Sequence, residues 1–293
     1  MSEFDLDKAL EDVDEAIEEL ESFPQAEGVR SELDIGSPSR WQIHPVGWVA
    51  LGILVIAATY HTVLDTKYLI GNFAWWHWVF FGVVVALALR PIVLHHIRLA
   101  IEGTASVTKA IAWMLAWLVF GLQLFNVVTR YSNEFLEQDI LFGQVVSAAW
   151  QSFGLMFLIG VNYGVRDGVN PRIDFWWANF KPKTKAWLDF VVHTALLLPF
   201  VWMAIRILRP YAETSLGRRR SGEWPSGHRV WETWEQSPEA DQLPVGPIKA
   251  MLLVAFVLFG LQVIAEIIKT GFVMIGDDEH GDIVVSEVPQ RIE

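Results

Sequence analysis

The chain has 293 residues, of which 53% are hydrophobic, and 34 acidic against 22 basic residues give it a net charge of −12. This charge argues against nucleic acid as a partner, and the absence of cysteine excludes disulfides, thiolate metal sites and thiol nucleophiles. The 15 Trp and 18 Phe residues favour a membrane protein, because these side chains populate membrane interfaces and lipid-facing helix surfaces.

Residues 1–40 are predicted to form an acidic amphipathic helix followed by a linker. Apolar residues within 2–22 repeat with the spacing of one helical stripe: Leu6, Leu10, Val13, Ile17 and Leu20. The other faces are mostly Asp and Glu, whereas a helix on anionic lipid usually carries Lys and Arg. The segment is therefore interpreted as a solvated tail, or alternatively as a helix that recruits a soluble protein. Pro, Gly and Ser in residues 23–40 indicate the linker.

Six apolar blocks follow, near residues 46–66, 75–97, 109–129, 141–164, 186–208 and 246–268. Each holds about 20 residues, enough to cross roughly 30 Å of hydrocarbon as a helix. Helices are the expected form, because lipid offers no partner to unpaired backbone groups. The sequence thus predicts an all-α polytopic membrane protein with about six transmembrane helices. Arg90 and Pro91 interrupt the second block, which is expected to end near Leu89 with His95 and His96 beyond the membrane.

The distribution of Lys and Arg favours a topology with both termini inside, because more of these residues then fall on the inner side. The Arg-rich loop 209–245 opposes this assignment but also carries six acidic residues. The predicted organisation is a two-helix membrane hairpin over residues 41–106, a four-helix core over 107–275 with its long loop outside, and an acidic tail over 276–293. No cleavable signal peptide is expected, since the first residues lack a basic region followed by an apolar stretch.

Few ionisable residues lie within the apolar blocks. Glu266 is near the end of the last block, where Lys269 is close enough to pair with it. His61, His77 and His193 raise the alternative of haem ligation, which needs two facing histidines at matched depth. His61 and His77 flank a short outer turn and could share a level, but His193 has no obvious partner. Satisfied or interfacial histidines are the preferred interpretation, and no cofactor is expected.

The remaining polar residues of the blocks are amides suited to hydrogen bonds between helices: Gln123, Asn126, Gln144, Gln151, Asn162 and Gln262. The sequence contains no GxxxxGK[ST], HExxH or GxSxG motif. It also shows no paired carboxylates for a proton relay. This inventory predicts neither an enzyme nor an autonomous pump or channel.

Three stretches carry a family resemblance. The third block ends in Asn126-Val127-Val128-Thr129-Arg130-Tyr131. The fourth leaves the membrane through Gly164-Val165-Arg166-Asp167-Gly168 and then Pro171-Arg172-Ile173-Asp174. The segment Leu243-Pro244-Val245-Gly246-Pro247-Ile248-Lys249-Ala250 enters the last block, which contains Leu261-Gln262. From about residue 107 onward the chain thereby resembles the small membrane subunit, of DctQ type, of tripartite ATP-independent periplasmic (TRAP) transporters.

The resemblance marks ten residues as structural motif positions: Asn126, Arg130, Tyr131, Arg166, Gly168, Arg172, Asp174, Pro244, Lys249 and Gln262. Two departures stand out. Asn170 and Pro171 occupy positions where the family commonly has His and Val, and two additional helices precede the four-helix core.

Aromatic and basic residues predict interfacial contacts. Trp176 and Trp177 are expected to anchor the connection after the fourth block at the membrane interface. Residues that could hold anionic lipid at the inner leaflet are Lys181, Lys183 and Lys185 with Trp177 and Trp187, although positive-inside topology explains the same lysines. In loop 209–245, Trp224, Trp231 and Trp234 stand beside charges, so part of the loop is predicted to lie on the outer membrane surface as an amphipathic helix, or else to be solvated.

The resemblance implies a non-catalytic scaffold subunit in the bacterial inner membrane. Its implied partners are a large membrane subunit, which would move an organic anion, often a carboxylate, with sodium, and a periplasmic solute-binding protein. The absence of broken helices and midplane polar sites agrees with a passive role. The alternatives are a haem-bearing membrane anchor of a respiratory complex and an assembly factor. The sequence does not name the transported solute.

Overall fold

The computed structural model describes residues 43–60, 74–136, 143–168, 180–225, 230–238 and 243–281, and these contain helices but no strands. The helices are α1 (Pro45–Thr59), α2 (Trp75–Ala88), α3 (Pro91–Leu136), α4 (Gly143–Arg166), α5 (Pro182–Val192), α6 (Leu198–Ser215), α7 (Gly246–Ile275) and α8 (Asp278–Gly281). A π-turn, His193–Leu197, joins α5 to α6, and a 3₁₀ turn spans Val230–Glu232. The predicted all-α class is confirmed.

Four helical stretches are long and apolar enough to cross a membrane: Pro91–Ser132, Gly143–Arg166, Lys183–Ser215 and Gly246–Ile275. They agree with a polytopic helical membrane protein. The helices α1 and α2 are apolar but have only 15 and 14 residues. At 1.5 Å per residue each is about 22 Å long, short of the roughly 30 Å of hydrocarbon. Residues 61–73 between them lie outside the described part of the chain.

The predicted second block is divided between two helices. As expected, α2 ends at Ala88, just before Arg90 and Pro91. Pro91 then begins α3, where its missing N–H costs no hydrogen bond. This helix of 46 residues continues without interruption into the predicted third block. The segment with His95 is therefore the first part of a long helix rather than the tail of the preceding one.

The π-turn has a local cause in the sequence. Pro199 follows it and lacks the N–H that an α-helix would donate four residues back. The N–H of Leu198 instead bonds to the carbonyl of His193, five residues earlier. This wider turn lets the stretch Lys183–Ser215 continue as one span across the proline.

The helix α7 is the centre of the fold. It packs against α1, α3, α4, α5 and α6, while α1 also packs on α2 and α3 on α4. Two apolar clusters surround α7. One joins Ala88 of α2 and Leu94 of α3 to Ile268 and Phe272, and the other joins Phe190 of α5 to Val263 and Ile267. The two ends of α7 therefore mark the two ends of the bundle, called here the Gly246 end and the Gly276 end.

Candidate functional site

At the exit of α4, Arg166 links two helices. Its guanidinium donates to the Oγ of Ser106 at 2.5 Å and to the carbonyl oxygen of Glu102 at 3.3 Å, both on α3. The next residue, Asp167, pairs with Lys109 of α3 at 2.8 Å. These bonds fix the antiparallel register of α3 and α4, so the described contacts of the Arg166 motif are contacts between helices.

Gly168 ends this motif in the left-handed region, with φ of +65°, and its N–H bonds to the carbonyl of Val165 at 3.2 Å. Glycine adopts this conformation without the steric cost that other residues meet. The motif residues Arg172 and Asp174, and the predicted interfacial Trp176 and Trp177, lie outside the described residues.

At the Gly246 end, α4 forms hydrogen bonds with the segment that leads into α7. The amide of Gln151 donates to the carbonyl oxygens of Leu243 at 3.3 Å and Pro244 at 3.2 Å. The hydroxyl of Ser147, which is fully buried, accepts from the N–H of Leu243 at 3.2 Å. Pro244 is thus part of a backbone segment that Gln151 binds, which gives this motif position a structural role.

Lys249, in the first turn of α7, pairs with Glu235 of the preceding loop and lies over the ring of Tyr211 at 5.8 Å. The hydrogen bond from Lys249 holds the pKa of the Glu235 carboxyl below its usual range. The backbone of Glu235 also connects the end of α6 to the start of α7. Its N–H donates to the carbonyl of Ser215, and its carbonyl accepts from the N–H groups of Val245 and Gly246.

The loop before α7 differs from the amphipathic helix predicted for it. Helix α6 extends to Ser215, and residues 216–225 and 230–238 contain only the three-residue 3₁₀ turn. Glycines interrupt regular helix here, with φ of +104° at Gly217 and +86° at Gly222. The predicted aromatic exposure is present, because Trp224 is 50% and Trp231 56% exposed, whereas Trp234 is half-buried.

The motif at the end of α3 points mostly outward. Arg130 and Tyr131 are exposed, and Asn126 is half-buried. Thr129 donates its hydroxyl to the carbonyls of Phe125 and Asn126. These bonds lie within α3, and the exposed side chains of Arg130 and Tyr131 are accessible to groups outside the chain.

Polar side chains do meet inside the bundle around α7. Gln262 is fully buried and donates to Glu266 at 3.3 Å, while its own Oε1 receives no hydrogen bond from the described residues. Glu266 lies within electrostatic range of Lys269, as predicted, and also of Glu102 and Asp189. The proximity of Glu102 and Asp189 was not predicted, because they lie on α3 and α5 and approach Glu266 only through helix packing.

The histidines considered for haem do not form a described ligand pair. His61 lies outside the described residues. His77 stacks on Trp76 with ring centroids 3.4 Å apart, and its Nδ1 lies 3.3 Å from the carbonyl oxygen of Ala74. His193 begins the π-turn. No group of three metal-ligating side chains occurs among the described residues.

The predicted lipid-binding lysines lie at the start of α5. Lys181 precedes the helix and is exposed, as is Lys183, and Lys185 is half-buried. Trp187 is 53% exposed one turn further. Their proposed contact with anionic lipid remains a prediction.

His44 is a structural centre that sequence analysis did not identify. Fully buried, it accepts a hydrogen bond at Nδ1 from the N–H of Val46 at 3.4 Å, and its Nε2 lies 3.0 Å from the carbonyl oxygen of Ile268. The ring packs edge-on to Phe272 at 4.9 Å. Burial lowers the pKa of His44 to about 4, so the ring is neutral at pH 7. The position before Pro45 is typical of a helix cap, but its partner on α7 is 224 residues away.

Comparison with known protein families identifies a match over much of the chain. The family described as "Tripartite ATP-independent periplasmic transporters, DctQ component" matches residues 119–270, more than half of the chain. The matched segment contains Arg166, whose partners Ser106 and Glu102 on α3 precede the match, together with the Gln151 contact with Pro244 and most of α7. No curated protein and no solved structure matches the chain.

Proposed function

The chain belongs to the DctQ component family of the tripartite ATP-independent periplasmic transporters, and from this we propose that it is the small scaffold subunit of a secondary transporter. In this proposal the subunit binds a large membrane subunit in the inner membrane, with both termini inside. The large subunit carries an organic anion of the carboxylate class together with sodium, and a periplasmic solute-binding protein delivers the anion.

The contacts that the motif residues make within the bundle are the observation that best supports a scaffold. Arg166 binds α3, Gln151 binds the segment of Pro244, and Lys249 binds Glu235 of the loop. Each of these bonds joins one part of the bundle to another. Motif positions that hold helices together suit a subunit whose function is to present a fixed surface.

The outer faces of the bundle suit such a surface. Large apolar side chains are exposed along α3, including Trp113, Trp117 and Phe120, and the span Pro91–Ser132 has little cover from the rest of the chain. Contact of such a face with lipid has no hydrophobic cost, and a second membrane protein can pack on it through van der Waals contacts. The exposed Arg130 and Tyr131 at the end of α3 add polar groups to this face.

Affinity purification from the native membrane in mild detergent tests the proposal. The expected result is a stable complex with one larger, strongly hydrophobic polypeptide. A chain that elutes without any such polypeptide, under conditions in which α-helical content is retained, would refute the scaffold assignment.

A further inference from the structure

At the Gly276 end the chain folds back on itself. Gly276 takes φ of +77°, and the short helix α8 then lies against the last turns of α7. Gly281 closes on Val273 so tightly that a Cβ at this glycine would lie 2.9 Å from a Val273 methyl group. The N–H of Gly281 bonds to the carbonyl of Asp277 at 2.9 Å, which fixes the turn of α8.

One buried arginine attaches α8 to α3. Arg98 is 2% exposed, and its guanidinium donates to the carbonyl oxygen of His280 at 2.6 Å. It also pairs with Glu102, one turn along α3, at 3.1 Å. The residues that join these two helices are 182 positions apart in sequence.

Two imidazoles meet beside this arginine. The His280 ring lies edge-on to the His95 ring of α3, with centroids 4.6 Å apart. Asp277 holds the Nδ1 of His280 between its two carboxylate oxygens, at 2.8 and 2.9 Å. Phe272, fully buried, is in ring contact with both histidines.

The two histidines differ in their ability to carry a proton. A protonated His280 has Asp277 as a charge partner. His95 has no comparable partner, because its Nδ1 is buried without a hydrogen bond from the described residues. A proton there would leave a buried donor without an acceptor, and burial of an unpaired polar group is costly.

We propose that the contact of α8 with the start of α3, formed by His280, His95 and Arg98, is a pH-operated latch that is closed at neutral pH and opens in mild acid. An imidazolium on His95 would lie next to the buried Arg98 guanidinium and 4.6 Å, between ring centroids, from His280, and like charges this close repel each other. Opening separates α8 from α3 and uncovers Val273.

The other charged and titratable groups at this end influence the pH range in which the latch opens. Glu102 is already paired with Arg98, and Asp277 with His280, so both carboxylates are engaged by groups other than His95. His96, the exposed neighbour of His95, is in ring contact with it, with centroids 5.9 Å apart. His44, which also packs against Phe272, stays neutral because its pKa is about 4. The latch is therefore expected to open on the acid side of the range, about pH 5 to 8, in which an imidazole ordinarily titrates.

Hydrogen–deuterium exchange on the full-length chain in nanodiscs tests the latch. Amides of residues 276–281 are followed at pH 7.5 and 5.5, with exchange times corrected for the intrinsic effect of pH. The expected result is a loss of protection approaching tenfold at pH 5.5, about the most that proton uptake by one imidazole in the open form supplies between these two pH values. Equal protection at the two pH values would overturn the proposal.

Three variants identify the responsible group. His95→Phe keeps an aromatic ring but cannot take a proton, so its α8 is expected to stay protected at pH 5.5. The matched control, His96→Phe, removes the exposed neighbouring imidazole and should respond as the native chain does. Arg98→Met removes the attachment and should leave residues 276–281 unprotected at both pH values. A normal acid response in His95→Phe, or full protection in a folded Arg98→Met, would contradict the latch.

Discussion

The variant Gly271→Ala is expected to lose about 3 kcal/mol of stability and to release the α1–α2 hairpin from α7. A Cβ at this position would overlap the Cε1 and Nε2 atoms of the His44 ring. The ring cannot retreat freely, because it is bonded to Ile268 and its backbone N–H is bonded to the carbonyl of Ala88 at 3.2 Å. Overpacking costs about 1–3 kcal/mol, and a buried hydrogen bond broken on one side adds about 1–3 kcal/mol.

Thermal unfolding in detergent, followed by tryptophan fluorescence, gives the stability, and hydrogen–deuterium exchange over α1 reports the release. Gly52→Ala is the matched control, since it lies on α1 and its Cβ would have no neighbouring atom within 4 Å. A helical Gly→Ala change without contacts should be neutral or stabilising by up to about 1 kcal/mol. Equal melting temperatures for the two variants would show that His44 does not hold the hairpin.

The second large effect is expected from Gly246→Ala, at the start of α7. A Cβ here would overlap the carbonyl oxygen of Ser215 and lie 3.0 Å from the backbone nitrogen of Glu235. Both are backbone atoms in a bonded arrangement, so the end of α6 and the loop must move together. The loss of the hydrogen bonds of Glu235 to Ser215, Val245 and Gly246 is expected to cost about 3 kcal/mol, at about 1 kcal/mol for each bond.

Gly154→Ala serves as the control for this change. It is on α4, and its Cβ would be 4.0 Å from the Cδ1 of Ile248, an ordinary contact with α7. The melting temperature of Gly246→Ala should fall well below that of Gly154→Ala. Limited proteolysis should also cut the loop between α6 and α7 faster in Gly246→Ala only. If both variants melt together and resist the protease equally, the Glu235 arrangement does not hold these helices.

The sequence predicted the ends of helices well where one local residue, such as a proline, determines the end. The start of α7 was predicted at residue 246, and Gly246-Pro247 begins it, because proline favours the first turn. Its end was placed near residue 268 but lies at Ile275. Lys269 and Thr270 lower the local apolar content, while burial of Phe272 against α3 extends the helix. That contact depends on tertiary packing, which hydropathy along one segment does not contain.

In the candidate site, too, individual residues were predictable from the sequence, whereas their partners in other helices were not. Arg166 was identified from its motif, but its partners on α3 depend on the register of two helices, which sequence does not specify. Pro199 was visible in the sequence, but whether a proline is accommodated by a kink or a π-turn is decided by its neighbours. His44 and Arg98 bond to residues more than 180 positions away, so no local pattern reveals them.

The most direct test of the scaffold assignment is solute uptake by proteoliposomes under an imposed sodium gradient, with a panel of labelled carboxylates. The chain is reconstituted alone and, in parallel, as the complex with its co-purified large subunit and the solute-binding protein. Sodium-dependent uptake is expected from the complex and none from the chain alone. Uptake by the chain alone would mean that these helices contain a transport pathway, and would refute the scaffold assignment.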